Sequence, residues 1–192
     1  MPSFKFGQPV GGVCQLAYVV KNIHAAMREF TKTLHVGPWF FMEQVQIKNA
    51  SYRGSPMEFR GSLACGNTGH MMIELIHQAD DTASIFTEVV AKSGYGLHHQ
   101  AIAVRDFDAQ LKVYEGFGYE VAFYSETDLP NRNAYIDTKG ALPFLVEVIE
   151  ATGPLERIFS AVHHASIEWN GQDPVRDFRS FGDLSGVPNT RS

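Results

Sequence analysis

The sequence of 192 residues contains little cysteine and no long apolar run. Its two cysteines, Cys14 and Cys65, do not form a CxxC motif. A disulfide framework or a cysteine-based metal site is therefore not expected. The apolar stretches have the length of strands, so no membrane span is expected. Residues 1–5 lack the apolar segment of a signal peptide, and we expect a cytoplasmic location.

Positive charge is also scarce. The chain has 16 Lys and Arg residues against 21 Asp and Glu residues, and its formal net charge is −5. Without a basic patch, neither nucleic acid nor an anionic membrane surface is an expected partner. A Gly-rich phosphate loop, a GxSxG elbow and an HExxH helix are absent too, so these three catalytic motifs offer no explanation of the chain.

Two short strand-like segments each carry a glutamate among apolar residues. The first is Ile-Glu-Leu-Ile at 73–76, and the second is Val-Glu-Val-Ile at 146–149. Apolar residues on both faces predict that both strands are buried. Burying even a neutral polar group without a partner costs roughly 2–7 kcal/mol. The pattern therefore predicts a positively charged partner between Glu74 and Glu147.

The two halves of the chain also resemble each other. The strand-like segments 15–20 and 99–104 align, and each precedes a helix, for which Asn22 and Asp106 are the expected N-caps. Each half then passes a glycine and continues in further strands. The sequence predicts an α+β fold of two tandem βαβββ modules. Their strands form one curled, mixed β-sheet with the helices outside and an extra C-terminal helix.

The repeat also predicts where the parts begin and end. The expected parts are a first module at 10–78, a linker helix at 79–96, a second module at 97–150, and a C-terminal helix and tail at 151–192. The last two strands of each module are expected at 56–65, 70–77, 132–138 and 143–150.

Four polar side chains occupy equivalent positions in this repeat. Gln15 and His99 begin the first strand of each half, and Glu74 and Glu147 lie in the middle of the last strand. A pseudo-twofold axis between the halves would bring all four to one point. One imidazole, two carboxylates and an amide oxygen suit one divalent ion, such as Zn, Ni, Co, Mn or Fe. His98 points to the opposite face of its strand, so His99 is the predicted ligand.

This layout resembles the vicinal oxygen chelate superfamily, which includes glyoxalase I, methylmalonyl-CoA epimerase, extradiol dioxygenases and the fosfomycin- and bleomycin-resistance proteins. The resemblance covers about residues 10–150, and segments 37–41, 72–76 and 96–101 are most similar to the epimerase-like branch. Epimerases of this family use His, Gln, His and Glu at the four metal positions. Glyoxalase I of the zinc type uses Gln, Glu, His and Glu, which is the set found here at Gln15, Glu74, His99 and Glu147.

The resemblance implies a metal-dependent isomerase, epimerase or lyase that moves a proton next to a carbonyl of a small molecule. A ligand glutamate is the base in glyoxalase I, which corresponds to Glu147, with Glu74 on the opposite side. Epimerase-like relatives use a further glutamate on the third strand of the first half. Glu58 lies one residue from that place, and a solvent-facing pair with Arg60 is the equal alternative.

Four more side chains are candidates for the substrate pocket: Tyr18, Phe41, Arg53 and Tyr135. Core packing is the alternative for the aromatic residues, and a solvated loop position is the alternative for Arg53, which could clamp a carboxylate or phosphate.

Two other functions stay open. One is a metal-free small-molecule binding protein of the resistance type. The other is an Fe(II) extradiol-type dioxygenase, which needs two histidines and one carboxylate, whereas one of those histidine positions is filled here. The family resemblance and the extra apolar helix lead us to expect a homodimer.

Overall fold

The structure is a computed structural model and describes residues 2–181. In this part of the chain, eleven strands form one mixed β-sheet with open edges, and four helices pack against it. The predicted α+β class is therefore confirmed.

The elements follow the order that the repeat predicts, with two added strands in the first half and a third in the tail. The helices are Ile23–Leu34 (α1), Ile85–Ser93 (α2), Phe107–Gly116 (α3) and Gly153–Ser166 (α4), and a short 3₁₀ helix is Phe178–Phe181. The strands are Val13–Val19 (β1), Trp39–Met42 (β2), Ile47–Tyr52 (β3), Ser55–Pro56 (β4), Gly61–Thr68 (β5), Met71–Gln78 (β6), Gly96–Val104 (β7), Glu120–Thr127 (β8), Arg132–Asp137 (β9), Leu145–Glu150 (β10) and Val175–Asp177 (β11). The module boundaries stay a prediction that this order supports.

The first strands of the two halves meet at the centre of the sheet. β1 and β7 lie side by side and antiparallel. Each also pairs in parallel with the last strand of its own half, β1 with β6 and β7 with β10. The central order is therefore β6–β1–β7–β10. This order makes neighbours of the four strands that carry the predicted metal ligands.

Helices α1 and α3 cover one face of the sheet. Asn22 and Asp106 cap them as predicted, because their side chains accept hydrogen bonds from the backbone N–H groups of Ala25 and Ala109, both at 2.9 Å. α1 packs on Leu75 of β6 and its neighbours, and α3 packs on the corresponding residues of β10. Because side chains alternate along a strand, the glutamates of β6 and β10 point to the opposite, inner face.

The inner face is flanked by the other two helices. Phe86 of α2 packs with residues of β1, β8 and β9. Leu155 and Ile158 of α4 pack with Met72 of β6 and with residues of β5 and β7. The glutamates therefore lie between α2 and α4 in an interior with little access to solvent.

The region predicted as a strand at 56–65 differs in the structure. The strand begins at Gly61 instead, and β3 and β4 form a hairpin before it. Arg53 and Gly54 both have positive φ, 45° and 80°, as a two-residue type I′ turn requires. This turn reverses the chain, and β3 then pairs with β8 of the second half. Residues 57–60 are consequently a connection between strands.

The linker helix and the C-terminal helix, which the sequence predicts from 154 to about 169, are both shorter in the structure. The linker helix expected at 79–96 spans Ile85–Ser93, because Ser84 caps it by accepting bonds from the backbone N–H groups of Phe86 and Thr87, both at 3.1 Å. α4 ends at Ser166, and β11 and the 3₁₀ helix follow in the predicted tail. The rest of that tail, 182–192, lies outside the described residues.

Candidate functional site

Three of the predicted metal ligands lie together on the inner face. The ligand atoms of Glu74, His99 and Glu147 are all within 4.8 Å of one another. His99 Nε2 is 3.5 Å from Glu74 Oε2 and 3.0 Å from Glu147 Oε2. The three residues are buried, with exposed fractions of 8%, 0% and 6%. A group of this kind can hold a divalent ion.

Small residues on β1 and β7 make room for this group. Ala17 of β1 pairs with both Glu74 and His99, and Ala101 of β7 pairs with Glu147. Both alanines are fully buried. Because they carry no side chain beyond Cβ, the longer neighbouring side chains can meet over them.

Gln15 supplies the fourth predicted position. It pairs with Ala101 across the β1–β7 seam, and its side chain is buried. Its Nε2 donates a hydrogen bond to the Met72 sulfur at 3.6 Å. Its Oε1 has no hydrogen-bond partner among the described residues. Buried polar atoms are normally paired, so this oxygen is available as a ligand.

Among the described residues, the two carboxyl groups of this cluster lack a cationic side chain as a partner. Burial raises the pKa of Glu147 to about 8, and burial and then the charge of Glu147 hold the pKa of Glu74 well above its usual value. Burial also lowers the pKa of His99 to about 3, so the ring is neutral near pH 7 despite its distance of 3.0 Å from a carboxylate oxygen. Protons or a metal ion must therefore neutralise the carboxylates, and a divalent ion fits this donor set.

The prediction that His98 points away from His99 is wrong, because a bulge at His98 (β1 pairs Ala17 with His99 and Tyr18 with Leu97) breaks the alternation of β7 and brings its ring against Tyr135 on the inner side. From there His98 fixes which nitrogen of His99 faces the carboxylates. His98 Nε2 lies 3.4 Å from the Ile85 carbonyl oxygen, which can only accept, so this nitrogen carries the proton. His98 Nδ1 is then an acceptor for the Nδ1–H of His99, 2.9 Å away. His99 Nε2 consequently keeps its lone pair. It has no hydrogen-bond partner in residues 2–181, as a metal-ligating nitrogen would require.

A cavity of about 490 Å³ opens over the group. Gln15, Glu74 and Glu147 line it, together with Tyr135, whose ring centroid is 4.6 Å from that of His99. Most of the other lining side chains are apolar. A volume of this size suits a small organic molecule.

Of the four predicted pocket residues, Tyr135 alone lies at this cavity. Tyr18 points to the outer face, where its ring packs edge-on against Phe30 of α1 at 5.2 Å. Phe41 packs with His24 at 5.0 Å and lines a separate cavity. Both placements follow from strand alternation, since Tyr18 is one residue from the inward-facing Ala17.

Arg53 and Glu58 also lie away from the group. Arg53 forms ion pairs with Glu88 at 2.6 Å and Asp137 at 2.9 Å, so its guanidinium is already paired with two carboxylates of the protein. Glu58 is in the connection before β5, where its side chain is 85% exposed and lies 3.6 Å from Arg60. The solvent-facing alternative for Glu58 is the one that the structure shows.

A polar row along β8, β9 and the residue before β9 was not predicted from the sequence. Ser125, Asn131 and Asn133 line the cavity, and Asn131 Nδ2 donates to Asn133 Oδ1 at 2.9 Å. Asn131, Asn133 and Tyr135 alternate along the chain, so their common face could have been predicted. The contribution of α4 to the cavity had no comparable signal, because this helix has no counterpart in the repeat.

A sequence model of the glyoxalase/bleomycin resistance protein/dioxygenase superfamily matches residues 14–135. The chain belongs to this superfamily. The match includes Gln15, Glu74 and His99, whereas Glu147 follows it. A comparison with curated proteins finds no match.

Solved structures with a similar fold include proteins of different kinds. A hypothetical protein from Bacillus halodurans is 17% identical, with a TM-score of 0.56, and the alignment covers 73% of this chain and 94% of that one. Methylmalonyl-CoA epimerase from Mycobacterium tuberculosis is 19% identical, with a TM-score of 0.54 and coverage of 77% and 93%. A Streptomyces coelicolor methylmalonyl-CoA epimerase bound to 2-nitronate-propionyl-CoA is 16% identical, with a TM-score of 0.51 and coverage of 75% and 99%. At these identities the likeness to each structure concerns the fold.

In the described part of the chain, no helix has the length and apolar character needed to cross a membrane. The four predicted ligands all come from one chain, so the group forms without a second copy. The expected homodimer stays a prediction.

Proposed function

We propose that this protein is a metal-dependent isomerase, epimerase or lyase that moves a proton at the carbon next to a carbonyl of a small molecule. The observation that carries the proposal is the buried group of Glu74, His99 and Glu147 at the base of a cavity. Buried carboxylates without a cationic side chain are costly, and a divalent ion would relieve that cost.

The proposed ligands are Glu74, His99, Glu147 and Gln15. When bound there, a divalent ion would act as a Lewis acid that polarises a substrate carbonyl and makes the neighbouring C–H more acidic. Gln15 adds a neutral oxygen, so the set carries two negative charges against the two positive charges of the ion.

Glu147 is the proposed base. Burial raises its pKa, which strengthens it as a base, and a bound divalent ion would lower that pKa again, so the two effects together set its strength. Glu74 lies on β6, on the other side of the β1–β7 pair from β10. Two carboxylates on either side of a bound carbon could remove a proton from one face and return it to the other, as an epimerisation requires.

Metal analysis tests the first half of this proposal. Protein purified without chelator should contain about one divalent ion per chain, and EDTA should lower its melting temperature. A chain that binds no divalent ion and is indifferent to EDTA would instead favour the metal-free binding protein. The group contains one histidine and two glutamates, which also makes the Fe(II) dioxygenase the less favoured alternative.

Solvent exchange tests the second half. With metal bound, the protein should catalyse deuterium incorporation from D₂O at the carbon next to the carbonyl of small ketones and 2-hydroxyketones, followed by NMR. Removal of the metal should abolish the exchange. Metal-loaded protein that exchanges no proton in any compound of this class would contradict the proposed chemistry.

Replacing His98 tests the hydrogen-bond relay. His98→Phe keeps a planar ring but removes the acceptor for His99 Nδ1–H, so the free Nε2 of His99 is no longer specified. We expect metal affinity, measured by calorimetric titration, to fall about 10- to 100-fold, as changes to groups behind a metal ligand typically do. His98→Asn, which can still accept this bond, should restore part of the affinity. Equal affinities for both variants and the wild type would exclude the relay.

A further inference from the structure

The C-terminal segment forms one wall of the cavity over the candidate metal centre. Leu155, Ile158, Phe159 and Val162 of α4 line it, and Phe178 of the 3₁₀ helix lies at the same wall. Ile158 is 3% exposed and packs in the same apolar cluster as Met72 of β6. This segment follows the second βαβββ unit, so it adds a wall that the repeat alone would not supply.

The opposite wall is aromatic. Phe86 of α2, Phe123 of β8 and Tyr135 of β9 pack together, with ring centroids 5.0 to 6.0 Å apart. All three line the cavity. A bound molecule would therefore lie between an aliphatic helix face and a cluster of aromatic rings.

The cavity offers almost no positive charge. Among the described residues that line it, Arg179 is the one cationic side chain. Arg179 is 88% exposed and already forms an ion pair with Asp177 at 2.6 Å. Phosphates and carboxylates are normally held by cationic side chains with fixed geometry, and the described lining residues offer none that is unpaired.

We propose that the substrate is an uncharged molecule with an apolar ring or chain as its body, and that the C-terminal segment selects it. This inference rests on the proposed function, since the carbonyl end of the molecule faces Glu74, His99 and Glu147. The apolar body lies between α4 and the aromatic wall. Coenzyme A thioesters are not expected as substrates, because the one cation among the described lining residues, Arg179, is already paired with Asp177.

The polar row refines this substrate class. Asn133 Oδ1 already accepts a bond from Asn131, and this leaves the amide N–H groups of Asn133 as donors at the cavity. Ser125 lies beside Asn133 on the neighbouring strand. A hydroxyl or carbonyl oxygen part-way along the apolar body would find these donors.

Binding of N-phenyl-1-naphthylamine, a neutral apolar dye, tests the inference in the full chain. We expect saturable binding with about one site per chain and enhanced dye fluorescence. Neutral aromatic and alicyclic ketones should displace the dye, whereas methylmalonyl-CoA should not. Displacement by methylmalonyl-CoA at concentrations comparable to the ketones, or the absence of saturable dye binding, would overturn the inference.

Two substitutions assign the site. Ile158→Trp should fill the cavity and weaken dye binding at least tenfold without changing metal content, whereas Val113→Trp, at an exposed position of α3, should leave binding unchanged. If Ile158→Trp does not fold, Ile158→Ala should enlarge the cavity and favour bulkier ketones. If neither Ile158 substitution changes dye or ketone binding, α4 does not form part of the binding site.

Metal content separates this inference from the proposed function. Dye binding at the Ile158 site in a chain that takes up no divalent ion would refute the metal-dependent reaction and leave the apolar ligand class standing. A metal-loaded chain that prefers coenzyme A thioesters would refute the apolar ligand class and leave the metal-dependent reaction standing.

Discussion

Replacing Glu147 by glutamine should abolish tight metal binding. Glutamine has the size of glutamate, so the change removes one of two negative charges with little change in packing. The weakened ligand atom, Oε2 of Glu147, lies 3.0 Å from His99 Nε2 in a buried group. We expect the affinity for Zn²⁺, measured by competition with a chelating dye, to fall by more than the ~100-fold that changes behind a ligand can cost. Solvent exchange at the substrate carbon should become undetectable.

Glu58→Gln is the matched control for this variant. It makes the same chemical change at a side chain that is 85% exposed and paired with Arg60, away from the group. It should bind metal and catalyse exchange like the wild type. Glu74→Gln should also lose metal, but at saturating metal Glu147→Gln should retain less exchange activity than Glu74→Gln. Wild-type metal affinity in Glu147→Gln would contradict the proposed centre.

The metal-free protein should become less stable between pH 6.5 and pH 8. Burial raises the pKa of Glu147 to about 8, above the value of about 4.3 for an unfolded chain. The unfolded chain therefore releases this proton first as pH rises, and the folded state loses stability up to about pH 8. His98 and His99 act in the opposite sense, because burial lowers the pKa of each to about 3. Their effect ends near pH 6.5, above which both states carry neutral rings.

The size of this effect can be measured by thermal unfolding in EDTA. Glu74, whose pKa is also held well above its usual value, acts in the same direction. Glu147 alone, titrating over 1.5 pH units, contributes about 2 kcal/mol, since each unit corresponds to about 1.4 kcal/mol. For a chain of this length that is a fall in melting temperature of roughly 4–8 °C. Glu147→Gln should reduce the fall, because glutamine does not titrate. Added Zn²⁺ should raise the melting temperature more at pH 8 than at pH 6.5. A metal-free protein that is equally stable at pH 6.5 and pH 8 would contradict the raised pKa of Glu147.

The repeat explains why the meeting of these side chains could be predicted from the sequence, whereas the metal stays a proposal. Gln15 and His99 hold one position of the repeat, and Glu74 and Glu147 hold another, so a single symmetry argument brings the four together. The apolar neighbours of each glutamate predicted burial independently. Both signals depend on local strand patterns, and the structure preserves those patterns.

The pocket was less predictable, because it depends on features outside the repeat. Tyr18 and Phe41 are aromatic residues of the expected strands, but one step along a strand moves a side chain to the other face. Glu58 was displaced when the turn at Arg53–Gly54 produced a hairpin and moved the start of the next strand to Gly61. The wall formed by α4 arises from packing between distant parts of the chain, for which a single sequence carries no periodic signal.

The hairpin has a consequence for the independence of the two halves. β3, from the first half, covers the outer edge of β8, from the second. Arg53 at its tip joins Glu88 and Asp137. A fragment that contained the second half alone would expose the backbone N–H and C=O groups of β8, and uncovered strand edges of this kind promote aggregation. The halves resemble each other in sequence, yet the second depends on the first to cover this edge.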